Sequence, residues 1–130
     1  MDKPISDLAI LLVAMKPFLN EGRFVFATLP HNIPSLQPIA TIHEKEGLCV
    51  IVSEEEAKSH GLTFSSTMAW ITLEVHSDLE AVGLTAAFST ALGKANISCN
   101  VLAGAYHDHI FVPYDKKEEA IEVLLELQRN

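Results

Sequence analysis

The stretch SDLEAVGLTAAFSTALGKANISCNVLAGAYHDHIFVP, residues 77–113, decides the fold of this chain. Its first four residues have the S-x-x-E spacing of a capping box, which predicts that a helix begins at Ser77. Apolar residues with helical spacing define the buried face of this helix: Leu84, Phe88, Ala91, Leu92 and Ala95. Asn96 suits the C-terminal cap. The alternating segments 97–103 and 106–113 are then predicted to be two strands joined by a turn.

Further elements extend this pattern on both sides. Residues 69–76 alternate strictly, which predicts a strand with Ile71, Leu73 and Val75 facing the core. The opposite face of that strand carries Trp70, Thr72, Glu74 and His76. Helical spacing predicts a last helix with four apolar residues on one side: Ala120, Ile121, Leu124 and Leu127. The order strand, helix, strand, strand, helix indicates an α+β unit whose antiparallel sheet is covered by helices on one face.

The first half of the chain follows a similar layout less closely. An apolar stripe predicts a helix near the N-terminus, formed by Leu8, Leu11, Leu12 and Met15. Pro17 is expected to end that helix. Residues 23–29 are rich in aromatic and β-branched side chains and predict a strand, and residues 38–53 predict a hairpin. A second S-x-x-E pattern at Ser53 then predicts a short capped helix.

Composition and charge exclude several classes of function. The 130 residues carry a formal net charge of −8 and have no Lys/Arg cluster, so nucleic-acid binding is not expected. No apolar run approaches the roughly 20 residues of a membrane span, and the N-terminus does not read as a signal peptide. Cys49 and Cys99 lie in apolar strand-like runs, without the C-x-x-C spacing of a zinc or redox site. We therefore predict a soluble cytoplasmic protein without a cofactor.

Residues 68–130 resemble the ACT domain, a small βαββαβ ligand-sensing module attached to enzymes of amino-acid metabolism. The resemblance rests on a strand that ends at His76, an acidic Asp78 in the loop after it, and Gly83 in the first turn of the helix. It continues through the segment LGKANIS before the next strand, a hairpin, and a closing helix rich in Glu and Ala. The chain as a whole is similar to small stand-alone bacterial proteins with two ACT-like units.

This resemblance implies ferredoxin-like units in tandem, a degenerate ACT-like unit in residues 1–66 and an ACT-like unit in residues 67–130. No strand follows the last helix. The fourth strand of the second unit is therefore expected to come from the other half of the chain, from a swapped copy, or to be missing. The strands carry different residue types on their two faces, and the sheet has edge strands without a partner. Both features also predict a homodimer.

The resemblance further implies a non-catalytic sensor that binds an amino acid or a similar small metabolite. The implied site lies where the loop after strand 69–76 meets a neighbouring unit, and six residues are expected to line it: Asp78, Val82, Gly83 and Leu84 on one side, Asn96 and Ile97 on the other. A helix N-terminus attracts a carboxylate, and Asp78 would accept the ammonium group of a zwitterion. The chain carries no catalytic motif such as G-x-S-x-G or a P-loop.

Two alternatives stay open. The chain would serve as a protein-interaction or assembly module if it binds no small ligand. It would bind zinc if Glu74 and His76 on one strand met His107 and His109 on a neighbouring strand, since these are zinc-ligating residue types on one sheet face. Zinc is the less favoured alternative because apolar residues continue that face. The two histidines are expected to be hydrogen-bonded members of an interface.

Overall fold

The computed structural model describes residues 7–75 and 82–129 of the chain. In chain order the elements are α1 (Leu8–Ala14), β1 (Lys16–Leu19), β2 (Phe24–Thr28), β3 (Ala40–Glu44), β4 (Gly47–Ser53), α2 (Glu54–Ser59), β5 (Met68–Glu74), α3 (Leu84–Lys94), β6 (Asn100–Ala103), β7 (Asp108–Pro113), a 3-10 turn (Tyr114–Lys116) and α4 (Lys117–Arg129). Within the two described ranges, no helix combines the length and the apolar character that crossing a membrane requires.

The chain divides into two compact units. The first, which we name the terminal unit, combines Met1–Glu21 with Ala69–Asn130. The second, the inserted unit, is Gly22–Met68. The division after Met68 lies close to the predicted boundary between residues 1–66 and 67–130. The N-terminal segment up to Glu21, however, belongs to the same unit as the C-terminal half.

The sheet of the terminal unit has the strand order β1–β5–β7–β6. Strands β1 and β5 pair antiparallel with Leu19 opposite Ile71, and β6 and β7 pair antiparallel with Asn100 opposite Phe111. Helices α1, α3 and α4 share one core with this sheet, and its fully buried members include Leu11, Met15, Ile71, Leu73, Phe88, Leu92, Ile110, Val112 and Leu124. The predicted α+β architecture, with alternating strands and helices on one face, is thereby confirmed.

Strand β1 supplies the fourth strand that the resemblance required. The sequence predicted only that the N-terminal helix ends near Pro17, and it gave no sign of a strand there. Helix α1 ends at Ala14, Met15 is extended, and the next four residues pair with β5. Proline is compatible with this position because β1 is an edge strand and needs no hydrogen-bond donor on its outer side. Of the three predicted sources, the other half of the chain is the one observed.

Helix α3 begins later than the sequence predicted. The predicted capping box lies outside the described residues, but the prediction that Gly83 lies in the first helical turn is wrong. Gly83 has φ 102°, a left-handed conformation, and it is the N-cap residue, so the helix begins at Leu84. Glycine adopts a positive φ without the steric cost that a Cβ imposes. The predicted apolar stripe is confirmed in its buried members: Leu84, Phe88 and Leu92.

The inserted unit contains a three-stranded antiparallel sheet in the order β3–β4–β2. The predicted hairpin is confirmed, with Glu44 opposite Gly47 at its turn. The predicted cap of α2 is confirmed as well, because Ser53 Oγ accepts a hydrogen bond from the Glu56 amide at 3.1 Å. A small core lies between α2 and one face of the sheet, and its buried members are Val25, Ala27, Leu36, Val50, Val52, Ala57 and Leu62.

Candidate functional site

The N-terminal end of α3 is the candidate ligand site that the sequence predicted. Gly83 has no side chain with which to cap the helix, and the first turn contains no acidic residue. The first amides of an α-helix have no partner within the helix, and they carry a partial positive charge. This end of α3 therefore has the electrostatic character that attracts a carboxylate, and its own first turn does not neutralise it.

Packing accounts for the glycine at this position. A Cβ on Gly83 would lie 3.0 Å from Cδ2 of Leu8, a contact that would force the leucine to move. Leu8 belongs to α1, which packs in the same core. The sequence allows two explanations for a glycine here: close approach of a ligand to the backbone, or packing of another helix or strand against it. The structure shows the second on the side where a Cβ would project, because a side chain of α1 lies there.

The five predicted site residues that the structure describes fall into two groups at opposite ends of α3. Val82 is 83% exposed beside Gly83, whereas Asp78 lies outside the described residues. Asn96 and Ile97 follow the C-terminal end of this helix. Eleven helical residues span roughly 16 Å at 1.5 Å per residue, so one chain does not bring the two groups together. Any site that contains both groups requires residues from a second chain.

The predicted site residues also differ in how far their side chains are buried. The side chains of Leu84 and Ile97 are only 3% and 2% exposed and belong to the hydrophobic core. They can offer a ligand their backbone groups but not their side chains. Asn96 and the exposed Val82 are the predicted residues outside the core whose side chains the structure describes.

A Schellman motif explains the residues at the C-terminal end of α3. Asn96 has φ 61°, its amide donates to the Gly93 carbonyl at 3.0 Å, and the Ile97 amide donates to the Leu92 carbonyl at 2.9 Å. The apolar contact typical of this motif is present, because Leu92 and Ile97 share the core. Lys116 Nζ also donates to the Asn96 carbonyl at 2.7 Å. The prediction that Asn96 takes part in the C-terminal cap is confirmed.

A polar cluster occupies the sheet face of the terminal unit that points away from the helices. His109 Nδ1 accepts a hydrogen bond from the Trp70 indole Nε1 at 3.0 Å and lies 3.1 Å from Thr72 Oγ1. Asn20 Nδ2 donates to Thr72 Oγ1 at 2.9 Å and to the Trp70 carbonyl at 3.2 Å. Trp70 also stacks on Phe111, with ring centroids 6.3 Å apart. The expectation that His109 is hydrogen-bonded is confirmed, and the expectation that this face is an interface stays a prediction.

The hydrogen bonds fix the protonation state of His109. An indole N–H can only donate, so Nδ1 is an acceptor and the imidazole is neutral with its proton on Nε2. Burial, and then the charge of His107, lower the pKa of His109, while the charge of Asp108 opposes them. A Cβ on Gly104 would lie 2.9 Å from the His107 carbonyl oxygen and 3.3 Å from Nε2 of His109, so this glycine accommodates the ring. His109 is held as a neutral structural group.

The zinc alternative gains no support from this arrangement. No group of three or more His, Cys, Asp or Glu side chains suited to a metal ion occurs within residues 7–75 and 82–129. The proposed ligand His76 lies outside these ranges, and Nδ1 of His109 is already engaged. His107 Nδ1 lies 3.4 Å from the Val75 carbonyl oxygen. Glu74 is exposed at the end of β5.

Sequence reasoning missed Asn20, which joins the cluster from the residue after β1. It precedes Trp70 by 50 residues, and no spacing or motif in the sequence connects the two. The signal is indirect, because Asn20 can be placed beside Trp70 only after β1 has been paired with β5.

Two family models cover the chain almost completely. Both describe an ACT domain, one matching residues 3–69 and the other residues 65–126. A protein of unknown function from Vibrio cholerae, described as a possible transport protein, has a solved structure similar to this chain. It is 47% identical, with a TM-score of 0.85, and the match covers 93% of this chain and 95% of that one. No curated protein matches the chain.

More distant solved structures share the fold. A protein from Agobacterium tumefaciens is 13% identical with a TM-score of 0.73, over 88% of this chain and 89% of its own. The ligand-free regulatory subunit of aspartate kinase from Thermus thermophilus is 8% identical with a TM-score of 0.66, over 89% of this chain and 97% of its own. At these identities the likeness concerns the fold alone.

Proposed function

This chain belongs to the ACT domain family, and from that premise we propose that it is a non-catalytic regulatory protein that senses an amino acid. The likeness to a protein described as the regulatory subunit of aspartate kinase supports a regulatory role. A cytoplasmic location and a homodimer belong to the same proposal.

The observation that carries the proposal is the end of α3 at Gly83. The N-cap provides no side-chain hydrogen bond, and the first turn holds no acidic residue that would compete with a ligand carboxylate. Anions are stabilised at such a position by the free amides and by the helix dipole together. An α-carboxylate is the group on an amino acid that this position suits.

The remaining groups of the ligand require further residues. In the proposal, Asp78 accepts the α-ammonium group and the exposed Val82 contacts the side chain of the ligand. Asn96 and Ile97 cannot reach this end of α3 in the same chain. They contribute only if a second copy brings the C-terminal end of its own α3 to the site. Binding would then stabilise the dimer by mass action.

Thermal unfolding in the presence of each of the twenty amino acids tests the proposal. A ligand at 100 times its Kd adds about 2.7 kcal/mol to the stability, which raises the Tm of a chain of this size by roughly 10 °C. We expect one amino acid or a chemically related group to produce such a rise. Asp78→Asn is expected to abolish most of it, because the amide cannot balance the charge of the ammonium group.

Asp115→Asn is the matched control, because it removes an equal charge from the exposed turn before α4. It is expected to leave the ligand-induced shift unchanged. If no amino acid raises the Tm, the sensor proposal is wrong. If the shift survives Asp78→Asn, the ammonium site is placed incorrectly.

A second candidate function is a ligand-free assembly module. It is favoured by the fact that packing and capping account for Gly83 and Asn96 without any ligand. Ile10 and Val13 on α1 also expose 55% and 67% of their surface, and exposed apolar residues of this size favour contact with another protein. This candidate predicts a stable oligomer whose sedimentation does not change when amino acids are added.

A further inference from the structure

The inserted unit contains an open groove of about 750 Å³, a volume in the range of small-molecule sites. Thr28, Cys49 and Ile42 form a row across β2, β4 and β3, because Cys49 is the register partner of both other residues. Phe26 on β2 and Phe64 in the segment after α2 add aromatic surface. All residues that line the groove lie within the inserted unit.

The lining combines apolar side chains, neutral hydroxyl groups and one charge. Ile42 is 42% exposed and offers apolar surface to a ligand. Glu44 is the one charged residue among those that line the groove. Burial, and then the charge of Glu44, raise the pKa of the Cys49 thiol. Three residues add neutral hydroxyl groups: Thr28, Thr63 and Ser65.

We propose that this groove binds a small organic amine with an aromatic or branched-alkyl body. The ammonium group would pair with the Glu44 carboxylate, and the apolar body would cover Ile42, Phe26 and Phe64. Charge complementarity selects this class, because a cation gains the one charged partner that the lining offers. Aromatic faces also favour a neighbouring cation.

The same lining disfavours a free amino acid. No lysine, arginine or histidine lines the groove, so an α-carboxylate would find no opposite charge there and would be repelled by Glu44. The groove therefore differs in charge preference from the N-terminal end of α3, which suits a carboxylate. It also lies in the inserted unit, whereas the described residues of the proposed amino-acid site belong to the terminal unit.

Phenethylamine and L-phenylalanine form a matched pair of probes, since they share the aromatic body and differ by the carboxylate. We expect calorimetry on the full chain to give a Kd for phenethylamine that is roughly tenfold lower than that for L-phenylalanine in the groove. Glu44→Gln is expected to weaken phenethylamine binding roughly tenfold and to remove the preference between the probes. Glu46→Gln is the matched control, because Glu46 lies two residues away but outside the lining. It should change neither the affinity for phenethylamine nor the preference between the two probes.

Alkylation of Cys49, followed by mass spectrometry of its peptide, locates the bound amine. Phenethylamine is expected to slow alkylation of Cys49, because this thiol lines the groove. Cys99, in the terminal unit, is the internal reference and should be unaffected. Any one of three results overturns the proposal. These are no phenethylamine binding up to millimolar concentration, unchanged Cys49 alkylation in its presence, and equal phenethylamine affinity in the Glu44→Gln protein.

Discussion

Replacing His109 with leucine is expected to destabilise the terminal unit through the sheet face that carries Trp70. The change removes the nitrogen that accepts from the Trp70 indole at 3.0 Å and lies 3.1 Å from the Thr72 hydroxyl. Loss of a buried hydrogen-bond acceptor costs about 1–3 kcal/mol. Trp70 and His109 are half-buried, so water can partly replace the lost acceptor, and we expect about 1 kcal/mol. His109→Gln keeps an acceptor oxygen and should lose less.

Urea unfolding followed by tryptophan fluorescence measures this effect directly, because Trp70 is the only tryptophan in the chain. The measurement should be repeated as a function of pH. Burial holds the pKa of His109 below its ordinary value of about 6.5, which the unfolded chain retains. As the pH falls below about 6.5, the unfolded state binds a proton before the folded state does. The wild-type protein should therefore lose stability from about pH 6.5 downward to the pKa of the folded state.

The glutamine variant isolates this contribution of His109. His107, Asp108 and Glu74 are present in both proteins, so the difference between the two pH profiles belongs to residue 109. The reasoning is refuted if His109→Leu unfolds at the wild-type urea concentration with unchanged tryptophan emission. The predicted pH dependence is refuted if His109→Gln loses stability below pH 6.5 as steeply as the wild type does.

Two further substitutions, the first with its own control, test the left-handed conformation of Gly83 and the N-terminal cap of α2. Gly83→Ala should lower the free energy of unfolding by about 1–3 kcal/mol, because φ is 102° and the new Cβ would lie 3.0 Å from Leu8. The control is Gly93→Ala within α3, where a new Cβ meets no atom within 4 Å. This change should raise the free energy of unfolding by up to about 1 kcal/mol. If urea unfolding shows Gly83→Ala to be the more stable variant, both predictions are contradicted. Ser53→Ala removes the bond to the Glu56 amide and should cost about 1 kcal/mol, which a thermal melt detects; an unchanged Tm would exclude a role for this cap.

The sequence predicted those elements whose signal is local. The strict alternation around Ile71 and Leu73 gave β5 its correct buried face, and the S-x-x-E pattern at Ser53 gave the start of α2. Strand β1 carried no such signal, because it has four residues, one of them Pro17, and it is defined by its pairing with β5. The start of α3 was misplaced because a glycine in a sequence does not reveal the sign of its φ angle.

The candidate site was predictable only in part for the same reason. The sequence predicted a helix N-terminus in this region, but it placed the start at a capping box at Ser77, and the contact of Gly83 with Leu8 depends on how α1 packs. The alternation of β7 placed His109 on the correct face. Its partners Trp70 and Asn20 come from two other parts of the chain, so their hydrogen bonds depend on strand order. Residue spacing alone does not give that order.

The pairing of Leu19 with Ile71 has a consequence for how this protein is made. As the chain leaves the ribosome, β1 emerges about 50 residues before the strand that it must join, and the whole inserted unit is translated in between. A polypeptide that begins at Ala69 would lack the edge strand of its own sheet. The terminal unit is therefore not continuous in sequence. A gene cut at its midpoint would separate β1 from its partner β5.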